Sequence, residues 1–344
     1  MKKYLEKIIN EENLSVDESM SLMSMIMDGE LNPSQVTSII VALRCKGESL
    51  NEILGFAQAM RNNMKKAAIN VPSIDMCGTG GDSFGSFNIS TVASFVVAGA
   101  GIHVAKHGNR SISSKCGSAD VLEELGIDID VSISKTILNI EKNKLGFLYA
   151  PKYHPAMKFA AEARNSIKIK TIFNLLGPLT NPADAQAQSM GIFNKDLTEQ
   201  QAKVLQKLGV KRGMVFCGYD GLDEITITTK TKISHFDENS DVRSYDFNPE
   251  DYGYKIHGKH SILGGSSKDN AKITIDILKG EKGPKRDIVI LNAASGIIVS
   301  GSAKNFNEAI SIANHSIDSG KAYEVLKSIS CLLYTSDAAD EHGC

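Results

Sequence analysis

The run DMCGTGGDSFGSFNISTVASFVVAGAGIHVAKHGNRSISSKCGSADVLEEL, residues 75–125, decides how the rest of the chain is read. A short apolar strand over 74–77 runs straight into the glycine turn Gly78-Thr79-Gly80-Gly81-Asp82. A helix is predicted from Ser90 and Thr91, with Asn88 just ahead of it and an apolar run over 92–100 inside. A second strand over 102–105 delivers the loop Lys106-His107-Gly108-Asn109-Arg110, and Ser118 opens another helix. The order is strand, glycine loop, helix, strand, cationic loop, helix. Backbone N–H groups at glycine turns and helix N-termini carry partial positive charge, so such a unit suits phosphate or pyrophosphate.

Two familiar phosphate motifs are excluded. Gly78 and Gly80 begin a dinucleotide pattern, but Ser83 stands where its third glycine belongs. No Gly-Lys-Ser/Thr closes the turn, so it is not a Walker loop. A glycine cluster after one strand is more often plain turn chemistry than a ligand site. Two polar loops at consecutive strand ends shift that balance, because α/β sheets build their sites there.

Before this unit, residues 1–66 read as helices only. Ser15 with Glu18, Asn32 with Gln35, and Ser49 with Glu52 each pair an N-cap side chain with a Glu or Gln three residues on. Pro33 adds the residue favoured at a first helical position. Met20, Met23, Met25 and Met27 at helical spacing read as core or a subunit interface rather than as a binding face. Residues 65–72 form a linker. After the unit, strands are expected over 127–130, 145–150, 188–193 and 214–218, with helices between them and Thr198 capping one. Residues 173–182 read as a turn-rich crossover, 232–254 as polar and β-rich, and 270–318 as three helices. Strands alternating with helices predict an α/β fold: a small all-helical domain plus a larger α/β domain, its mainly parallel sheet wrapped by helices. The boundaries are 1–66 for the helical domain, completed by helices from about 155–182, and 73–330 for the α/β domain. The tail over 331–344 breaks the preceding helical pattern and reads as non-native or disordered.

With 344 residues, 42% of them hydrophobic, the chain can bury a sizeable core. A net charge of −2 without a basic block gives no sign of nucleic-acid or anionic-membrane binding. The N-terminus lacks a signal-peptide core, and six scattered cysteines form no CxxC pair, which points to a reducing, cytoplasmic setting.

GTGGD (78–82), NIST (88–91), KHGNR (106–110) and SSKCGSADVLEELG (113–126) together resemble the anthranilate phosphoribosyltransferases. The resemblance runs from the N-terminus to about residue 330. It implies transfer of the phosphoribosyl group of 5-phosphoribosyl 1-pyrophosphate (PRPP) to the amine of anthranilate, with Mg²⁺ as cofactor and a homodimer formed through the helical domain. On the PRPP side it implies Gly78, Gly80, Gly81, Asp82, Ser86 and Asn88 from the glycine turn to the helix start. Ser90, Thr91, Lys106, Gly108 and Ser118 complete that set. On the anthranilate side it implies Gly78, His107, Asn109, Arg164 and Pro178, and for the metal Ser90, Asp223 and Glu224.

The chemistry of these residue types agrees. Such a transfer requires no protein nucleophile, only positioning and electrostatics. Asp223 and Glu224 follow a strand, where hard oxygen donors suit Mg²⁺; the alternative is a solvated acidic loop. Lys106 supplies a point charge for pyrophosphate. Asp82 either orders the glycine loop or accepts from a ribose hydroxyl. Arg164 either binds the carboxylate of anthranilate with its planar fork or caps helix-end carbonyls. His107 lines the aromatic site or orients its loop. Arg110 reads as an ion-pair partner, and Cys116 as a small buried filler. Two rivals stand beside this reading. A pyrimidine nucleoside phosphorylase shares the fold but leaves the acid pair without a purpose. A non-catalytic nucleic-acid-binding relative calls for basic grooves.

Overall fold

The computed structural model describes residues 1–80, 84–110 and 116–330; Gly81, Asp82 and the tail over 331–344 lie outside the described residues. The chain opens with α1 (Lys2–Ile9), α2 (Val16–Met27), α3 (Pro33–Lys46) and α4 (Leu50–Asn63). All three expected capping boxes form. Ser15, Asn32 and Ser49 accept from the N–H three residues on, and Glu18, Gln35 and Glu52 return to the cap N–H. Each box satisfies two donors that a helix start otherwise leaves unpaired. Ser15→Ala is therefore expected to lower stability by about 1 kcal/mol, read as a shift of the urea midpoint.

Beyond α4 the chain alternates. β1 (Ile74–Gly78) leads to α5 (Ile89–Gly99), and β2 (Val104–Gly108) to α6 (Ser118–Glu124) and α7 (Ile133–Asn143). β3 (Leu145–Tyr149) leads to α8 (Ala150–Tyr153), α9 (Lys158–Ile167) and α10 (Ile172–Leu176). β4 (Ala187–Gly191), α11 (Thr198–Lys207), β5 (Arg212–Gly218), β6 (Thr231–Phe236) and β7 (Arg243–Phe247) complete the sheet. Four helices close the fold: α12 (Ser267–Leu278), α13 (Pro284–Ser300), α14 (Phe306–Asp318) and α15 (Lys321–Ile329).

The seven strands lie in the order β3-β2-β1-β4-β5-β6-β7. The first five are parallel, and β6 and β7 run antiparallel to their neighbours. The chain leaves β1 for β2 on one side and returns to β4 on the other, so strand order reverses between β1 and β4. The crevice at such a switch point is where open α/β sheets bind ligands.

One face of the sheet is covered by α5 and α13, the latter buried at every residue from 288 to 299. On the other face a second apolar cluster joins Leu22, Ile39 and Phe56 of α2–α4 to Ala160 of α9 and Leu176 of α10. The same cluster reaches Cys77, Met190 and Val215 of the sheet. Met23 and Met27 belong to this core, while Met20 and Met25 are half-buried. Among the described residues no helix is long and apolar enough to cross a membrane.

Three local expectations fail for identifiable reasons. Residues 127–130 form no strand; Ile127 and Ile129 are buried, but the Asp130 N–H turns to Asp128 Oδ1 at 2.8 Å instead of joining a ladder. The crossover over 173–182 is largely helical, carrying most of α10 and a 3₁₀ turn at Gly177–Leu179. Thr198 lies inside α11, its hydroxyl donating to the Lys195 carbonyl at 2.9 Å. Asn194 caps the turn ahead of it, accepting from the Asp196 N–H.

Candidate active site

A cleft of about 620 Å³ opens at the C-terminal ends of the parallel strands, between the sheet and the helices over 155–178. Gly78, Gly80, Ser86, Asn88, Ser90 and Thr91 line it from the glycine turn and the start of α5. Lys106, His107, Gly108 and Asn109 come from β2 and its end, and Ser118 from α6. Arg164 and Pro178 face them from the helical side, and Asp223 and Glu224 from the segment after β5. Every described site residue of the sequence reading thus shares one cavity.

Lys106 and His107 correct that reading in one respect. They lie within β2, paired with Phe147 and Leu148 of β3, not in the loop after it. Backbone pairing in a buried parallel sheet overrides side-chain polarity, because an unpaired peptide costs more than burying a polar side chain that has partners. Successive strand residues point to opposite faces, which divides the cleft. The Lys106 side chain is buried and donates to the Met76 carbonyl at 2.6 Å and to Ser90 Oγ at 3.3 Å. Burial lowers its pKa, against the pull of Asp75, Cys77 and Glu224. Gly108 is needed where Ser118 packs, since a Cβ there would stand 2.4 Å from Ser118 Oγ.

The start of α5 is organised from a distance. Asn88 does not cap it with its side chain. Its amide donates to the Cys116 carbonyl at 3.2 Å and accepts from Asn270 Nδ2 at 2.9 Å. Asn270 in turn accepts from the Gly265 N–H, so one buried amide of α12 holds the loops around Asn88 and Gly265 together. Arg110 is the expected ion-pair partner, bonded to both Glu123 oxygens at 2.6 Å and to Asp120 at 3.0 Å. Cys116 is buried, as expected of a filler.

Asp223 and Glu224 are not a solvated loop: only 9% and 8% of their surface is exposed. Asp223 Oδ2 accepts from the Gly80 N–H at 2.7 Å, and Glu224 Oε1 from the Ser90 N–H at 3.1 Å. A Cβ on Gly78 would lie 2.8 Å from Asp223 Oδ2, and one on Gly191 would lie 1.7 Å from the Asp223 carbonyl oxygen. Two glycines therefore let the acid segment press against β1 and β4. Among the described residues no three His, Cys, Asp or Glu side chains gather as a closed metal site. Two buried carboxylates beside a hydroxyl fit a hard divalent cation that draws its other ligands from water or phosphate.

The opposite wall is cationic and aromatic. His107 and His154 face each other with ring centroids 5.1 Å apart, each ring's Nε2 without a protein partner among the described residues. Burial lowers both pKa values, His107 to about 3 and His154 to about 4, against the opposing backbone hydrogen bonds at Gly177 and Thr180. His154 also lowers the value of His107. Both rings are therefore neutral near pH 7. The unfolded rings take protons below about pH 6.5 and the folded ones refuse them. Stability is thus expected to fall as pH drops from about 6.5 towards 4, by up to about 1.4 kcal/mol per pH unit for each ring. His107→Gln should flatten this slope in a series of thermal melts.

Arg164 is half-buried, its guanidinium 5.2 Å from the Phe173 ring centroid. Burial alone lowers its pKa, and no acid among the described residues pairs with it. Pro178 sits in the 3₁₀ turn that carries Gly177, its carbonyl held by Gln188 Nε2 at 2.6 Å. Sequence reasoning missed His154, Phe173 and Asn270. A polar residue soon after the apolar strand over 145–150 is the signal that points to His154.

The helical-bundle domain of a glycosyl transferase family matches residues 2–64, and the a/b domain of a glycosyl transferase family matches residues 70–323. A protein of Acetivibrio thermocellus named anthranilate phosphoribosyltransferase is 49% identical over 95% of this chain and 94% of its own length. A namesake from a Thermoanaerobacter species is 48% identical over 94% and 96%. The crystal structure of the Thermus thermophilus anthranilate phosphoribosyltransferase superposes with a TM-score of 0.90 at 37% identity, covering 96% of this chain and 99% of that one. The Saccharomyces cerevisiae enzyme in complex with PRPP and Mg gives 0.87 at 27% identity, with 97% of each chain covered. With relatives of such identity along nearly its whole length, the chain belongs to the anthranilate phosphoribosyltransferase family.

Proposed function

We propose that this protein transfers the phosphoribosyl group of PRPP to the amine of anthranilate, giving N-(5-phosphoribosyl)anthranilate and pyrophosphate, a step of tryptophan biosynthesis. The observation that carries the reading is one cleft with two unlike walls. One wall offers Lys106, the N-terminus of α5 and the Asp223–Glu224 pair; the other offers Arg164 and two neutral histidines. The first suits a pyrophosphate with its cation, the second an aromatic acid. The acid pair, buried against Gly80 and Ser90, disfavours phosphorolysis with inorganic phosphate.

Asp223, Glu224 and Ser90 are the residues that hold Mg²⁺, which when bound neutralises charge on the pyrophosphate leaving group. Gly78, Gly80, Ser86, Asn88, Thr91, Gly108 and Ser118 line the PRPP side, where the positive end of α5 favours phosphate. Gly81 and Asp82, from outside the described residues, join them, Asp82 ordering the glycine loop or accepting from a ribose hydroxyl. Lys106 adds fixed charge where the leaving group gains it. The bond from ribose C1 to pyrophosphate breaks with its electron pair, and the amine lone pair forms the C1–N bond. The amine then loses its proton to the released pyrophosphate or to water, and because the amine attacks C1 directly no protein nucleophile is consumed. Arg164 holds the carboxylate of anthranilate, and His107, Asn109 and Pro178 shape the ring site. His107 and His154, being neutral, add no charge that would draw pyrophosphate across.

We assign residues 1–66, completed by helices from about 155–182, to a helical domain that gives Arg164 and Pro178 to the acceptor side, and residues 73–330 to the PRPP-binding catalytic domain. Exposed Ile9, Phe159 and Ile169 on and beside α1 and α9 support a homodimer formed through the helical unit. A biosynthetic role supports a cytoplasmic setting.

Anthranilate fluorescence tests the reaction, unobscured because the chain contains no tryptophan. Its signal should decay when protein, anthranilate, PRPP and Mg²⁺ are mixed, and the decay should stop on adding a chelator or omitting PRPP. A stable signal with folded protein would sink the proposal.

A further inference from the structure

We infer that Asn292 of α13 is a positioning residue for the acid pair, holding Asp223 and Glu224 at the cleft through the peptide of Ile225. The inference rests on the reading of those two acids as metal ligands. Asn292 is 1% exposed in a helix segment whose other buried side chains are apolar apart from Ser295, and an amide there is costly unless fully bonded. Its Oδ1 accepts from the Ile225 N–H at 2.8 Å, and its Nδ2 donates to the Ile225 carbonyl at 2.9 Å. Nδ2 also donates to the Ile288 carbonyl at 2.8 Å, which fixes the amide's orientation from its own helix.

The side chain thus stands in for a neighbouring strand. Residues 219–230 leave the sheet without forming regular structure, yet Ile225 and Ile227 are fully buried. Their peptides are held singly: Ile225 by Asn292, the Thr226 N–H by Thr231 Oγ1, and the Ile227 carbonyl by the His257 N–H. Ile225 directly follows Glu224, and on the other side Gly191 receives the Asp223 carbonyl at a distance no Cβ allows. The acid pair is therefore fixed from two sides, one a gap in β4 and the other an amide of α13. Ser295, one turn on, bonds to Ser189 of β4 at 2.6 Å, so α13 is keyed to the same strand.

Without this pin the acids keep their chemistry but lose their place, and metal affinity falls where turnover at saturating metal need not. The test compares Asn292→Ala with the unaltered protein. Hydrogen exchange of the peptide over 222–227 is read without metal, and Mn²⁺ binding with PRPP present is read from the electron paramagnetic resonance of free Mn²⁺. Exchange should quicken, and Mn²⁺ half-saturation should rise by about tenfold or more, as for other residues that orient ligands. The KM for anthranilate should not move. Quickened exchange with unchanged Mn²⁺ binding overturns the inference, as does a rise in anthranilate KM equal to that in Mn²⁺ half-saturation. If Asn292→Ala does not fold, Asn292→Asp is read the same way, since it keeps the volume and the acceptor but not the donor. Asp223→Asn with Glu224→Gln separates the underlying reading. If that pair binds Mn²⁺ as before, the ligand assignment is wrong. If it loses Mn²⁺ while the Asn292 variants keep it, only the positioning role is.

Discussion

Asp223→Asn combined with Glu224→Gln is expected to lower turnover at ordinary Mg²⁺ by about 10³-fold or more, while the protein stays folded. The amides keep an oxygen for the Gly80 and Ser90 N–H groups that now bond to the carboxylates, so the local backbone retains its partners. What disappears is negative charge at two buried positions, and with it the attraction for a hard cation. Steady-state rates across a Mg²⁺ titration, with circular dichroism as the control for folding, read the outcome. Full activity in the double variant would remove the metal assignment.

Arg164→Ala should weaken anthranilate binding by about 2–5 kcal/mol, the usual loss when one partner of a buried charge pair is truncated. At 1.4 kcal/mol per decade this is a rise in KM of roughly 30-fold or more. The guanidinium has no acid partner among the described residues and is already partly stripped of water by burial, so a carboxylate ligand gains it as a waiting partner. The KM for PRPP should stay put, because Arg164 lies on the wall opposite Lys106 and α5. An unchanged dependence on anthranilate would assign Arg164 to structure, as the cation resting on Phe173.

What the sequence disclosed follows the range of the forces involved. The capping boxes at Ser15, Asn32 and Ser49 were legible because each closes within three residues. The end of β1 was legible because an apolar strand and Gly78 adjoin in the chain. The true end of β2 was not, since Lys106 and His107 are polar and only the pairing with β3 keeps them extended. The pattern at Ile127 and Ile129 misled in the opposite sense, with strand-like alternation but no ladder. Asn270 and Asn292 were missed because they act on residues 182 and 67 positions away, and no local periodicity encodes that. The acid pair was legible from its place after a strand together with the resemblance; its burial against Gly80, 143 residues away, was invisible.

The alternation along β2 has a consequence for how this catalyst can be altered. Lys106 and His107 are joined by a single peptide yet serve different halves of the cleft, so the strand is shared machinery. A one-residue slip there would exchange the two environments and ruin both. The opposing segment over 154–178 brings His154, Arg164 and Pro178 to the same cleft without sharing that strand. Libraries aimed at new acceptors belong in that segment, with the strand left alone.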